Sequence, residues 1–141
     1  MSSWRPLRIL VVDDNDLEKH HLSTVLRLAM PYVSIDWATT FSEAQAKMGL
    51  RKALGLRYDA VLADMYLGFN ENSGADLLLN CLARGGKDSR TALVLMSSST
   101  QDAVLRECKH GRLFRFLNKP LLINDLRNLA ANLFLSTSTA P

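Results

Sequence analysis

Apolar residues come along this chain in short runs separated by amphipathic stretches. Leu7-Arg8-Ile9-Leu10-Val11-Val12 is β-branched and nearly continuous, the pattern of a strand buried on both faces, and it stops at Asp13-Asp14-Asn15-Asp16. The next stretch sets Leu17, His21, Leu22, Val25, Leu26 and Leu28-Ala29 on one face as far as Pro31, which predicts a helix with His21 toward the core and His20 toward solvent. Val33-Ser34-Ile35-Asp36-Trp37-Ala38 alternates like a half-exposed edge strand. Thr40-Phe41-Ser42-Glu43 fits a capping box and opens an extended second helix through Ala44, Ala46, Met48 and Leu50, with Lys47, Arg51 and Lys52 on it.

Ala60-Val61-Leu62-Ala63 predicts a third strand, stopped by Asp64. A Gly/Asn-rich loop from Gly68 to Gly74 leads to a helix through Leu77, Leu78, Leu79 and Leu82. Ala92 to Met96 reads as a fourth strand, stopped by Ser97-Ser98-Ser99. A helix from Thr100 to His110 is expected to close on Gly111 as a left-handed cap. Phe114 to Leu117 is the fifth strand, followed by Asn118-Lys119-Pro120, and a last helix capped near Asn124 carries Leu126, Leu129, Ala130 and Leu133. Residues 1–135 form one domain on this reading, and Ser136 to Pro141 is a flexible polar tail. Five strands alternating with five helices predict an α/β fold, a doubly wound five-stranded parallel sheet with helices on both faces.

Composition narrows the class. At about 150 residues per domain, 141 residues make one domain. Apolar residues at 48% and charged residues at 22% describe a globular chain rather than a disordered one. No apolar run reaches the length of a membrane span, and Met1-Ser2-Ser3-Trp4-Arg5-Pro6 lacks a signal peptide's apolar stretch. Two cysteines, Cys81 and Cys108, give no disulfide framework, so a cytoplasmic location is expected. Net charge is +3, without the basic runs or aromatic interleaving of a nucleic-acid surface. The excess gathers between Arg84 and Lys119, where eight Lys/Arg face Asp88, Asp102 and Glu107. Such a run is either a solvated face or a docking face for an acidic partner.

Ligands of a doubly wound sheet sit at the carboxyl ends of its strands. Here those ends are Asp13-Asp14, Asp64, Ser97 and Lys119. Each residue alone could be a helix cap, Asp13 or Asp14 for the first helix and Ser97 for the fourth. Together they place three carboxylates in one crevice opposite a lysine and a hydroxyl. Carboxylates this close repel, and a hard divalent cation that keeps open positions, Mg²⁺, relieves the repulsion. An aspartate beside a cation and a lysine can attack phosphorus, because both positive groups offset charge on the transferring phosphoryl group. The chemistry expected is phosphoryl transfer to Asp64.

The ordered set Ile9-Leu10-Val11-Val12-Asp13-Asp14-Asn15, Val61-Leu62-Ala63-Asp64-Met65, Leu95-Met96-Ser97 and Phe116-Leu117-Asn118-Lys119-Pro120 resembles the receiver domains of two-component response regulators, single-domain chemotaxis-type proteins included. The resemblance runs from about Leu7 to Leu135. It implies a flavodoxin-like strand order 2-1-3-4-5 and a phosphoaccepting signalling domain that catalyses only its own phosphorylation and dephosphorylation. It makes Asp64 the phosphoacceptor, gives Mg²⁺ to Asp14, Asp64, the carbonyl of Tyr66 and, through water, Asp13, and pairs Lys119 with the phosphoryl group. Ser97 takes the position of the hydroxyl that bonds a phosphoryl oxygen, and Phe116 that of the aromatic that swings inward with it. The implied donors are a sensor histidine kinase or a histidine phosphotransfer protein. The implied output is a downstream protein partner, or a homodimer, on the face made by the fourth helix, fifth strand and fifth helix.

Departures from the family pattern concern the loop after Asp64, where Gly68 stands in place of a proline and the run to Gly74 is longer by about two residues. Tyr66 is bulky beside the acceptor, and Ser99 is short opposite it, which predicts slow self-dephosphorylation. A haloacid-dehalogenase-type phosphatase would need a second acid where Tyr66 stands. A flavodoxin-like flavin protein would need a phosphate loop where Asp13-Asp14 would repel phosphate. The alternative kept open is a receiver-fold interaction module that acts independently of phosphorylation. Adjacent His20 and His21 cannot share a metal; His110 suits a helix C-terminus; Cys81 and Cys108 read as buried helical thiols, and Trp4 and Trp37 as packing groups.

Overall fold

The computed structural model describes residues 6–67, 74–85 and 90–138. The elements are β1 (Arg8–Val12), α1 (Asp16–Ala29), β2 (Ser34–Ala38), α2 (Phe41–Ala53), β3 (Ala60–Asp64), α3 (Gly74–Gly85), β4 (Ala92–Ser97), α4 (Gln101–Glu107), a 3-10 turn (Lys109–Leu113), β5 (Arg115–Asn118) and α5 (Ile123–Ser138). All strand pairs are parallel and the order is β2-β1-β3-β4-β5. This is the doubly wound sheet and the strand order expected, with β2 at one edge.

Alternation along each strand divides the core in two. Ile9, Val11, Ala60, Leu62, Val94 and Met96 point to one face, where they meet Leu22, Val25 and Leu26 of α1 and Leu126, Leu129 and Leu133 of α5. Leu10, Val12, Val61, Ala63 and Leu95 point to the other, against Ala44 of α2, Leu77 and Leu78 of α3 and Val104 of α4. Both sides of β1, β3 and β4 are covered, which is why these strands read as unbroken apolar runs.

Several expectations need correcting. In α1 the inward row is Leu22, Val25 and Leu26, whereas Leu17 is 90% exposed and Leu28 and His21 also face solvent. Positions 17, 21, 24 and 28 lie on one row of the helix at i, i+4, i+7, i+11 spacing, so the pattern merged a solvent row with the core row beside it. Gly111 is no left-handed cap: α4 ends at Glu107 and Gly111 lies in the 3-10 turn, while among the described residues only Gly55 has positive φ. A Cβ on Gly111 would meet Leu105 Cδ2 at 3.1 Å, so a side chain there would require the Leu105 tip to shift by a few tenths of an ångström. Cys108 caps the end of α4 rather than lying within it, and both cysteines are half-buried. α5 opens at Ile123, one residue before Asn124, and runs to Ser138, three residues into the expected tail. Trp4 and Gly68 lie outside the described residues.

The helix starts follow sequence closely. Asn15 caps α1, its Oδ1 accepting from the Leu17 N–H at 3.0 Å. Thr40 caps α2, accepting from the Glu43 N–H at 3.0 Å, and the Glu43 carboxylate returns to Thr39, whose N–H and hydroxyl it accepts. These bonds hold the Glu43 carboxyl below its ordinary pKa. At the other end of α2, Gly55 (φ 73°) turns the chain: the Leu56 N–H returns to the Arg51 carbonyl at 2.8 Å and the Gly55 N–H to the Lys52 carbonyl at 3.0 Å.

Candidate functional site

The carboxyl ends of β1, β3, β4 and β5 form one rim. β1 hands over to Asp13, whose N–H bonds the Ala38 carbonyl at 3.0 Å and so continues the ladder past the strand. The Asp13 carboxylate is buried, and its Oδ1 accepts from the Asn15 N–H at 2.9 Å. Since Asn15 caps α1 and Thr100 caps α4, neither Asp13 nor Ser97 is used as a helix cap. Asp64 ends β3, and its Oδ1 accepts from the Tyr66 N–H at 3.2 Å. Asp14 is exposed at the edge of the same crevice. Asp13, Asp14 and Asp64 each present a carboxylate oxygen within 4.8 Å of the others.

Lys119 reaches this cluster from the end of β5. Its Nζ donates to Asp13 Oδ2 at 2.7 Å and to Asp64 Oδ2 at 2.8 Å, with only 9% of the side chain exposed. It also donates to Glu18 Oε2, a carboxylate from the first turn of α1. Burial alone would lower the lysine pKa; the surrounding Asp13, Asp64 and Glu18 carboxylates outweigh it and hold the ammonium above its ordinary value. Burial raises the Asp64 carboxyl despite Lys119, and raises Glu18 in the same way. Among the described residues, four carboxyl groups, Asp13, Asp14, Asp64 and Glu18, gather around the Lys119 ammonium.

That donor set fits a hard divalent cation. Three oxygens from three carboxylates, one at the solvent edge, match the few protein ligands and open positions that Mg²⁺ requires. The Tyr66 carbonyl follows Asp64 by two residues on the same rim.

Ser97 ends β4 and is buried; its Oγ accepts from the Ser99 N–H at 3.0 Å. Its carbonyl accepts from the Lys119 N–H at 2.8 Å and from Asn118 Nδ2 at 2.9 Å, and Asn118 Nδ2 also donates to the Ser99 carbonyl at 2.8 Å. The hydroxyl and the lysine thus sit on adjoining strand ends tied together by main chain. Phe116, half-buried on β5, packs against the second core. Tyr66 is half-exposed and its hydroxyl donates to Glu107 at the end of α4. That bond raises the phenol pKa.

Asp13, Asp14, Asp64 and Lys119, foreseen from strand ends, come together in one crevice, with Ser97 on the same rim. Glu18 was missed. Its signal was an acid three residues past the capping Asn15, on a first turn whose side chains lean back toward the strand end. Asn118 and Glu107 were missed as well, because their partners are distant in sequence.

No protein-family model matches the chain. It is similar to hybrid signal transduction histidine kinase A of Dictyostelium discoideum, 22% identical over 125 residues that cover 88% of this chain and 6% of that protein. It is also similar to sensory/regulatory protein RpfC of Xanthomonas campestris pv. campestris, 29% identical over 136 residues, 94% of this chain and 17% of the other. The chain therefore spans less than a fifth of either relative. A solved response regulator receiver domain protein (CheY-like) from Methanospirillum hungatei superposes with a TM-score of 0.72 at 17% identity, over 96% of this chain and all of that one. The strand order, the helices on both faces and this superposition establish that the chain has the fold of response regulator receiver domains.

Proposed function

We propose that this chain is a phosphoaccepting receiver that takes a phosphoryl group from a phosphohistidine onto Asp64. The observation that carries the reading is Lys119 Nζ between Asp13 Oδ2 (2.7 Å) and Asp64 Oδ2 (2.8 Å), beside three carboxylates that face one another. An Asp64 carboxylate oxygen forms the new O–P bond as the N–P bond of the donor breaks, and the imidazole leaves with a proton from solvent. Asp13, Asp14, Asp64 and the Tyr66 carbonyl are the proposed holders of Mg²⁺. When bound, Mg²⁺ supplies positive charge to the carboxylates and to the phosphoryl oxygens.

Lys119 stays charged throughout and pairs with the phosphoryl group as it arrives. Ser97 offers its hydroxyl proton to a phosphoryl oxygen, and Phe116 is the proposed follower of that movement on β5. The donor is a sensor histidine kinase or a histidine phosphotransfer protein, a reading supported by the histidine-kinase relative. The output is a change in binding to a protein partner, or to a second copy, at α4, β5 and α5. Self-phosphorylation and its reversal are the only catalysis assigned, in the cytoplasm.

Incubation with acetyl phosphate or a phosphohistidine donor and Mg²⁺ should add one phosphoryl group, labile to base and hydroxylamine. Asp64→Asn should abolish it. Equal labelling of that variant and the wild type would overturn the assignment.

A further inference from the structure

A cavity of about 380 Å³ lies between α2, α3 and the beginnings of β3 and β4. It is set by Tyr58 and Thr91, which precede those strands, so it opens at the end of the sheet opposite Asp64. Its floor is apolar, from Val61 and Leu93 on the sheet and Met48 on α2. Its polar wall is cationic: Arg51, Lys52 and Arg57 all line it, and no Asp or Glu does so among the described residues.

Arg51 is the unusual member. Its guanidinium stacks on the Tyr58 ring, Cζ 4.7 Å from the centroid. Its Nε and Nη2 are buried and have no hydrogen-bond partner among the described residues. Buried donors on a charged group are costly to leave unmet, and an acceptor from a ligand, an ion or water relieves that cost. Tyr58 meets Arg51 with its ring face, while its hydroxyl donates to Asp36 Oδ2 at 2.6 Å. Leu50, Leu54 and Leu56 are exposed around the Gly55 turn that ends α2, and Leu56 also lines the cavity.

We infer that this cavity is a binding site for a small amphiphilic anion, a carboxylate or phosphate monoester on a medium-length apolar chain. The head group gives Arg51 its missing acceptors after a small turn off the Tyr58 ring, with Lys52 and Arg57 adding field. The chain lies on Val61, Leu93 and Met48 and leaves past Leu56. The volume falls within the range of small-molecule pockets. The site is independent of phosphorylation at Asp64.

Cys81 lines the cavity and reports on it. In a Cys108→Ser background, Cys81 alkylation by a maleimide would be timed with octanoate, octyl phosphate, octanol or inorganic phosphate. Octanoate or octyl phosphate should slow alkylation about tenfold at saturation, and whichever protects more names the head group. Octanol and inorganic phosphate should protect far less, because each lacks half of the ligand. Arg51→Gln should raise the concentration of octanoate or octyl phosphate needed for half-maximal protection by tenfold or more while leaving Asp64 labelling unchanged. Asp64→Asn should protect like wild type, which separates this site from the phosphoacceptor reading. Protection by octanol equal to that by octanoate, undiminished protection in Arg51→Gln, or no protection by any of the four probes would overturn the inference.

Discussion

Gly74 opens α3 against the backbone of the proposed acceptor, and Gly74→Ala tests how tightly the site is held. A Cβ there would stand 1.8 Å from the Asp64 carbonyl oxygen, 2.6 Å from its carbonyl carbon and 3.3 Å from Ala63 Cβ. The first two are main-chain atoms and cannot rotate away. Reaching the 3.4 Å of ordinary contact requires the Cβ and the oxygen to part by about 1.6 Å. β3 is paired on both sides, to β1 and to β4, so it yields little. α3 is anchored by the buried Ala75, Leu77 and Leu78 and by the Gly74 N–H on the Met65 carbonyl at 2.8 Å. Overpacking of this kind costs about 1–3 kcal/mol and more where backbone must move. We expect about 3 kcal/mol, or a melting temperature lower by about 10 °C at this chain length. Movement of Asp64 should also disturb its 2.8 Å pairing with Lys119, and a misplacement near 1 Å costs about 10²-fold in rate. Thermal melting and the rate of labelling by acetyl phosphate are the two readouts. Gly49→Ala is the comparator: nothing lies within 4 Å of that position on α2, so alanine should stabilise by about 0.5–1 kcal/mol. If Gly74→Ala melts and labels like wild type, the close approach of α3 to Asp64 is not a constraint and the reasoning fails.

Mg²⁺ at ten times its dissociation constant should stabilise the native state by about 1.4 kcal/mol, and Asp14→Ala should remove most of that gain; melting unchanged by millimolar Mg²⁺ would count against the carboxylate site. In EDTA, burial keeps Asp64 protonated to higher pH than in the unfolded chain, so its contribution is present below the unfolded value of about 3.8 and lost as pH rises through the raised folded value; the gain from Mg²⁺ should grow across that window. Tyr66 is bulky, gives its hydroxyl proton to Glu107 and has no carboxamide to hold a water at phosphorus; Tyr66→Asn should shorten the life of the acyl phosphate, and an unchanged or longer decay refutes that role. Gly55→Ala places a side chain at φ 73° in open space, so the loss should be about 1 kcal/mol of backbone strain, read by denaturant melting, with labelling of Asp64 unaffected.

The sheet was legible because β1, β3 and β4 are covered on both faces and leave unbroken apolar runs, while edge β2 leaves alternation. The carboxylate crevice was legible because a parallel sheet brings all its carboxyl ends to one rim, so Asp13, Asp64 and Lys119 could be aligned before any distance was known. What was not legible depends on rotation and reach. Leu17 and Leu28 looked like core because apolar residues on two neighbouring helical rows give one broad stripe in sequence. Gly111 looked like a left-handed cap, but the chain there continues into a 3-10 turn without a positive φ. Glu18 joined the site only because a helical side chain leans back toward its N-terminus, and Tyr66 found Glu107 across 41 positions.

Asn118 gives the rim a mechanical property. One amide group grips the carbonyls of Ser97 and Ser99 together, while the neighbouring Lys119 N–H holds the Ser97 carbonyl a second time. The loop beyond β4 and the end of β5 are therefore pinned as one body. A pull on Ser99 cannot stay local: either the Asn118 grip opens, or β5 travels with the loop. Phe116 stands two residues before Asn118 on the same side of the strand, so in the second case the ring is dragged with it. Asn118 thus ties the loop beyond Ser97 to the outer strand of the sheet, and on the proposed switch the strength of these two hydrogen bonds would set how much displacement reaches that edge.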